Sequence, residues 1–435
     1  MAVDRWRTVP IKDLCAGIYD GPHATPKKTS SGPVFLGISN LCGGRIDLSE
    51  AEHLSEEDFL KWTRRVTPRS EDIVFSYETR LGEAALIPKV LRCCLGRRMA
   101  LMRVDRGKAD PRFLLYAFLG PEFQELIRAR TVRGSTVERI ALMEFPGFPI
   151  SVPSLGEQRA IASVLGALDD KIELNRRMNE TLEPIARAIF KSWFVDFDPV
   201  RAKMEGRRPF GMDAETAALF PSSLEDSPLG KIPRGWRVAT ISEVAGTNER
   251  TLRRHNRPAE IEYIDISSVS RGRLLGTTRY SADQAPSRAQ RLVQHGDSIW
   301  SMVRPNRESY LLIHDPSPDV VVSTGFVVLT PKSVSSGYLY AWVTTAGFVQ
   351  YLSYSADGSA YPAVRPERFS EAEILVPPPA VVVRFEGIVE PLRARMASNG
   401  RESITLGNIR DVLLPKLICG EIRLKDAEKR AEAAL

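Results

Sequence analysis

The sequence predicts an α+β fold in which two copies of a mixed α/β domain alternate with two long helices. Three observations carry this: a repeat that spans the chain, a proline-ended strand closing each copy, and about forty residues of helical pattern after each strand. Trp6-Arg7-Thr8-Val9 opens the first half, and Trp236-Arg237-Val238 returns 230 residues later. Phe35 to Ser39 returns as Tyr263 to Ile266-Ser267, and Glu71-Asp72-Ile73-Val74-Phe75-Ser76 as Gly296-Asp297-Ser298-Ile299-Trp300-Ser301. Leu115-Tyr116-Ala117-Phe118 matches Leu339-Tyr340-Ala341-Trp342, and Gly134-Ser135 matches Gly358-Ser359. The offset falls from 230 to 224 in one direction, as loop deletions would produce.

Each copy closes on prolines, at Pro149 to Pro153 and at Pro377-Pro378-Pro379, where a missing N–H stops a strand and suits the first turn of a helix. In the first helix the seam positions are Ile161, Leu165, Leu168, Ile172, Asn175, Asn179, Leu182, Ala186, Ile189 and Trp193. In the second they are Phe385, Val389, Leu392, Met396, Asn399, Ser403, Leu406, Arg410, Leu413 and Leu417, each 224 residues on. Spacings that alternate four and three give the 3.5-residue period of a coiled coil. Asn175 and Asn399 place a polar layer in both seams, and such a layer is expected to set register at a cost in stability. Pro184, Pro391 and Pro415 are expected to kink or fray the helices.

The expected domains are 1–153 and 230–378, the central helix 154–195, a linker 196–229, the second helix 379–420 and a charged tail 421–435. Strands are expected at Val34 to Ile38, Ile73 to Ser76, Ile261 to Ile266, Ser298 to Met302 and Val320 to Leu329. Single helices are expected at Arg112 to Ile127 and Tyr338 to Tyr351.

Composition narrows the chemistry. Hydrophobic residues at 43% and charged residues at 26% are ordinary for a folded chain, and 60 Lys and Arg against 54 Asp and Glu leave a formal charge of +6. The five cysteines include no C-x-x-C pair and the five histidines no H-E-x-x-H or H-x-x-x-H, so neither a disulfide framework nor a metal site is expected. No apolar run approaches the length of a membrane helix and no secretory signal opens the sequence, so a reduced, cytoplasmic protein is expected, without a membrane partner. Nucleotide cradles, the G-x-S-x-G elbow, an [ND]-P-P-[YF] methyltransferase loop and a nuclease Pro-Asp with a following Asp/Glu-x-Lys are all missing. What remains is basic surface: 23 basic against 19 acidic residues in 1–153, and 17 against 14 in 230–378.

Several motifs then come together. Asp20-Gly21-Pro22-His23 with Pro26, Val303-Arg304-Pro305-Asn306, Ser323-Thr324-Gly325-Phe326 and Ala360 to Pro366 are four of them. Others are Pro153-Ser154-Leu155-Gly156-Glu157-Gln158-Arg159-Ala160-Ile161, the run Phe190 to Val200, and Gly230 to Trp236. With these residues the sequence resembles the specificity subunit of type I restriction–modification enzymes over nearly its whole length. It departs at the second helix start, where Ala380-Val381-Val382-Val383-Arg384 stands in place of Glu-Gln.

The resemblance implies a non-catalytic reader of double-stranded DNA, whose two domains are target recognition domains for the halves of an asymmetric, split site. It implies an antiparallel coiled coil with the domains at its opposite ends, docking two modification (methyltransferase) subunits, with restriction/translocase subunits joining. S-adenosylmethionine, ATP and Mg are expected on those partners, with no cofactor and no metal in this chain. Expected DNA-contacting residues are His23, Lys27, Lys28 and Arg80 in the first domain and Arg253, Arg254, Arg304 and Asn306 in the second. The competing classes are a stand-alone DNA-binding regulator on a helical spacer and an orphan enzyme with a degenerate site. Apolar surface beyond the seam, at Ile185, Phe190, Phe194, Ile388, Ile404, Ile409 and Val412, favours the docked subunit over the regulator.

Overall fold

The proline-ended strands find their partners at the opening of each copy. In the computed structural model Arg7–Pro10 pairs antiparallel with Pro149–Val152, and Arg237–Thr240 with Glu373–Val376. The structure describes residues 6–132, 137–253, 257–358, 361–422 and 424–432. It divides into two units, residues 1–172 with 405–435, and residues 173–404. Of the residues singled out above, Gly134, Ser135, Arg254, Ser359 and Ala360 lie outside the described ones.

In the first unit a four-stranded antiparallel sheet runs in the order Cys15–Asp20, Met99–Val104, Ile73–Ser76, Ala84–Leu86. All four residues of Ile73–Ser76 are buried, as its apolar run requires. Phe75, Phe118, Phe145 and Phe148 pack beneath the sheet, Phe75 and Phe145 with ring centres 4.6 Å apart. A second sheet sets Lys28–Leu36 between Glu52–Leu54 and Cys93–Leu95, the latter parallel to it.

The second unit repeats this topology. Ala245–Thr247, Phe326–Pro331, Ser298–Ser301 and Tyr310–Leu312 form the antiparallel sheet, and Glu260–Ile264 runs parallel to Val320–Ser323. Three elements expected as single pieces are broken. The strand expected from Val320 to Leu329 is two strands in different sheets, turned at Thr324 and Gly325, where Ser323 Oγ accepts from the Gly325 N–H at 3.2 Å. The helix expected from Arg112 to Ile127 is Pro111–Leu119 followed by Pro121–Ala129, because Pro121 has no N–H to carry the ladder on. The helix expected from Tyr338 to Tyr351 is Ser336–Val343 and Ala346–Tyr354, the second capped by Thr345 Oγ.

The segment expected as a linker carries the helices Asp198–Met204 and Ala214–Ala218 and the strand Leu224–Ser227. Its Val200, Met212 and Phe220 are buried with Trp193, Phe194 and Trp236 in the second unit's core, which is why linker-like composition did not leave it loose. The expected tail forms the helix Leu424–Glu432, with Ala427 buried in the first unit's core.

The long helices are Leu155–Phe194 and Pro379–Ile418, each unbroken through its prolines. In the first unit Ile161, Leu165 and Leu168 share a core with Leu406, Leu413 and Leu417, and Arg410 donates to Asp169 at 2.8 Å. In the second the helices run antiparallel, since Asn175 meets Ser403 while Phe190 meets Phe385. Phe190 and Phe194, expected as outward apolar surface, are instead 3% and 1% exposed, stacked among Tyr338, Trp236 and Phe385. Tyr338 and Trp236 are large enough to enclose a helix face that the seam alone would leave open.

Gln158 accepts from the Asp110 N–H at 3.0 Å and donates to the Pro153 carbonyl at 3.0 Å, tying the helix start to its domain. At the matching position the second unit has Val382, buried in the core, so apolar packing replaces the polar clasp.

The polar layer is a trio. Asn399 Nδ2 donates to Asn179 Oδ1 at 2.8 Å, and Asn175 Nδ2 donates to Glu402 Oε2 at 2.7 Å. Asn175 Oδ1 is buried without a hydrogen bond. Asn399→Leu alone should therefore lower stability by about 1–3 kcal/mol, since Asn179 Oδ1 loses its donor while Asn179 Nδ2 keeps only the Met396 carbonyl. Replacing Asn175, Asn179 and Asn399 together by Leu should recover that loss in denaturant titrations. A single variant as stable as the parent would show the trio carries no energy.

Candidate nucleic-acid interface

Arg80, Arg304 and Asn306 occupy corresponding hairpin loops, between Ile73–Ser76 and Ala84–Leu86 in one unit and between Ser298–Ser301 and Tyr310–Leu312 in the other. Both loops are held by the same bonds. Ser76 Oγ donates to the Glu78 carbonyl at 2.7 Å, and Ser301 Oγ to the Val303 carbonyl at 2.9 Å. Both then pass through a left-handed residue, Thr79 at φ 68° and Arg304 at φ 50°. Main-chain bonds lace each loop to a later segment: Ile140 N–H to the Tyr77 carbonyl at 2.8 Å, and Val364 N–H to the Met302 carbonyl at 2.8 Å.

Left-handed backbone at Arg304 is uncommon for a residue with a Cβ and is held here by its N–H donating to the Pro362 carbonyl at 2.7 Å. The guanidinium lies 4.4 Å from the Tyr361 ring centre. Stacking fixes its plane while leaving the N–H edge available, the posture in which Arg grips a base edge or phosphate. Asn306, Arg307, Tyr361 and Arg365 are exposed in the same two segments, giving donors, an acceptor and a ring.

The first unit's candidates are more compensated. Arg80 donates to Glu83 at 3.1 Å and to the Ile38 carbonyl at 3.3 Å, so it braces its loop. His23, Lys27 and Lys28 lie on the segment between Cys15–Asp20 and the body of Lys28–Leu36. His23 Nε2 is 2.8 Å from Asp20 Oδ2, which Arg65 also approaches at 3.9 Å, and Lys28 is ion-paired with Glu52. Lys27 is exposed. Burial first, then the Asp20 charge, push the nearby Tyr77 hydroxyl up from its usual pKa, so it stays protonated. In the second unit Arg253 and Arg257 line a cavity of about 630 Å³ with Thr251, Leu252 and Pro318. Arg257 Nε is buried without a hydrogen bond, so this rim has donor capacity to spare.

The structure thus brings Arg304 and Asn306 together, sets Arg80 in the corresponding loop of the other unit, and leaves Arg253 in a separate cavity. Tyr361, Arg307, Arg365 and Arg257 were not among the expected contacts. Tyr361 and Arg365 stood in a motif already noted, but nothing in linear spacing ties that motif to Arg304. Gly21, in the Asp20–His23 motif, sits where a Cβ would come within 2.8 Å of the Met99 carbonyl and 2.9 Å of the Gly96 carbonyl. Gly21→Ala should cost about 1–3 kcal/mol in thermal or denaturant unfolding, because backbone rather than a movable side chain stands in the way. An unchanged midpoint would show the strand can shift freely.

Two copies of one α/β unit, each with a laced hairpin loop that carries an arginine and each with a share of two long helices, define a duplicated scaffold. The same fold is found in the type I restriction–modification S subunit from M. genitalium, with a TM-score of 0.58 at 17% identity, covering 96% of this chain and 97% of that one. Residues 4–184 match the type I restriction modification DNA specificity domain. The chain is 23% identical to the type I restriction enzyme MjaIX specificity subunit of Methanocaldococcus jannaschii over 88% of its length and 84% of the relative's. It is 26% identical to the HindI specificity subunit of Haemophilus influenzae over 72% of its length and 77% of the relative's. The chain thus carries a type I restriction modification DNA specificity domain at residues 4–184 and is similar over most of its length to type I restriction enzyme specificity subunits, which are non-catalytic components of those systems. Among the described residues no helix is long and apolar enough to cross a membrane.

Proposed function

We propose that this subunit reads an asymmetric DNA site in two parts, one with each unit. The observation that carries the reading is the pair of hairpin loops: matching bonds from the Ser76 and Ser301 hydroxyls to a carbonyl two residues on hold unlike side chains, Arg80 in one and Arg304 with Asn306 in the other. A shared frame with different contacts is what unlike half-sites call for. The expected docking of two modification subunits on the long helices is supported by their exposed apolar side chains, Ile185, Ile388 and Val412, the last 52% exposed. Restriction subunits complete the complex, and the partners supply S-adenosylmethionine, ATP and Mg, in the cytoplasm.

Arg304→Ala, assembled with the modification subunits, should weaken methylation or binding at one half-site by about 1–3 kcal/mol and leave the other unchanged. Equal weakening on all sequences would make Arg304 a phosphate contact. The purified chain alone, given DNA and labelled S-adenosylmethionine, should transfer no label; robust transfer would overturn the assignment.

A further inference from the structure

Outside the DNA-facing loops, three residues far apart in sequence converge in the second unit. His295 precedes the strand Ser298–Ser301, His314 follows Tyr310–Leu312, and Glu390 lies on the helix Pro379–Ile418. One ring nitrogen of each histidine and one carboxylate oxygen of Glu390 lie within 4.8 Å of one another. His314 Nε2 is 3.1 Å from Glu390 Oε1, close to the roughly 3.3 Å ligand-to-ligand edge of a tetrahedron with metal bonds near 2.05 Å. The rings meet edge to face at 4.7 Å.

Asp315 stands behind both rings. Its Oδ1 is 3.0 Å from His295 Nδ1 and its Oδ2 is 3.0 Å from His314 Nδ1. The His314 contact is off the line of a hydrogen bond, leaving that buried nitrogen without one. The Asp315 N–H donates to His295 Nδ1 at 3.3 Å; metal at Nε2 would place the ring proton on Nδ1 and exchange that bond for one donated to the Asp315 carboxylate. Two carboxylates, Asp315 and Glu390, face the two imidazoles. Arg401 donates to the His314 carbonyl at 3.2 Å, and the buried Arg393, three residues along the helix, interacts with the Glu390 carboxylate through its charge.

We propose that His295, His314 and Glu390 bind Zn²⁺, with Asp315 orienting the imidazoles and water in the fourth position. Two imidazoles and a carboxylate form a donor set suited to zinc, and the carboxylate behind the rings is the usual outer partner of such ligands. The ion would pin the base of the Arg304 hairpin to the long helix. The hydrogen bonds Gly296 N–H to Ile313 and Glu71 N–H to Ile87, both 2.9 Å, align the two units here. In that alignment the first unit has Ser70, Pro88 and Gly166 at the three positions, so the site belongs to the second unit alone.

The test uses the full chain. After EDTA treatment and dialysis against Zn²⁺, the parent should retain one more equivalent by atomic emission than either His295→Gln or Glu390→Gln. Zn²⁺ should raise the thermal midpoint of the parent only, and Co²⁺ should give d–d absorption without thiolate charge-transfer bands. His295 is 50% exposed in its side chain, so its variant should fold as the parent does, as circular dichroism would show. Equal zinc content and equal midpoints in parent and both variants would overturn the site, as would Co²⁺ spectra dominated by thiolate.

Discussion

Everything else in the molecule hangs on the main-chain pairing of the strand that opens each repeat with the strand that closes it. Arg7–Pro10 against Pro149–Val152 and Arg237–Thr240 against Glu373–Val376 close each unit immediately before a long helix begins. That closure gives the helix a fixed origin. Gln158 in one unit and Val382 in the other then bond or pack the first turn to the domain, and the seam residues need only continue. Two different local chemistries serve one geometry, so the strand pair is the constraint and the helix-start contact is the variable part.

Much of this was legible in the sequence because it is written in periods and offsets. The seam could be counted residue by residue, and Ile73 to Ser76 matches its strand at both ends. Breaks were harder. Pro121 and the Ser323 turn are single local events inside continuous apolar runs, and periodicity passes over them. Phe190 and Phe194 read as outward because a two-helix seam has no third surface; Tyr338 and Trp236, more than forty residues away, supply it. The linker was misjudged for the same reason: its glycines and prolines were visible, but the aromatic cavity that Val200 and Phe220 fill was not.

The candidate site was legible in part. Basic residues in loops were identifiable by type, and Arg304 with Asn306 stands in an exposed, laced loop. Whether a cation is free or spent is a question of neighbours, and Glu52 beside Lys28 or Glu83 beside Arg80 answers it only in three dimensions. His295, His314 and Glu390 escape any spacing rule, since two flank one hairpin and the third lies on a helix far along the chain.

The hairpin loops have a consequence for how such a protein changes over time. The bonds that hold them come from Ser76 and Ser301, which lie within strands, and from main-chain groups at Tyr77, Ile140, Met302 and Val364. None comes from the side chains of Asn306, Arg307 or Arg365, which are exposed. Exposed substitutions of this kind shift stability by roughly 0.5 kcal/mol or less. At Asn306, Arg307 and Arg365 the outward side chains are therefore separate from the atoms that fold the loop, whereas Arg80 also braces its own. If each unit reads its own half-site, as proposed, a lineage can exchange the outward residues of one unit and acquire a new preference there, while the scaffold and the other unit's preference stay as they were.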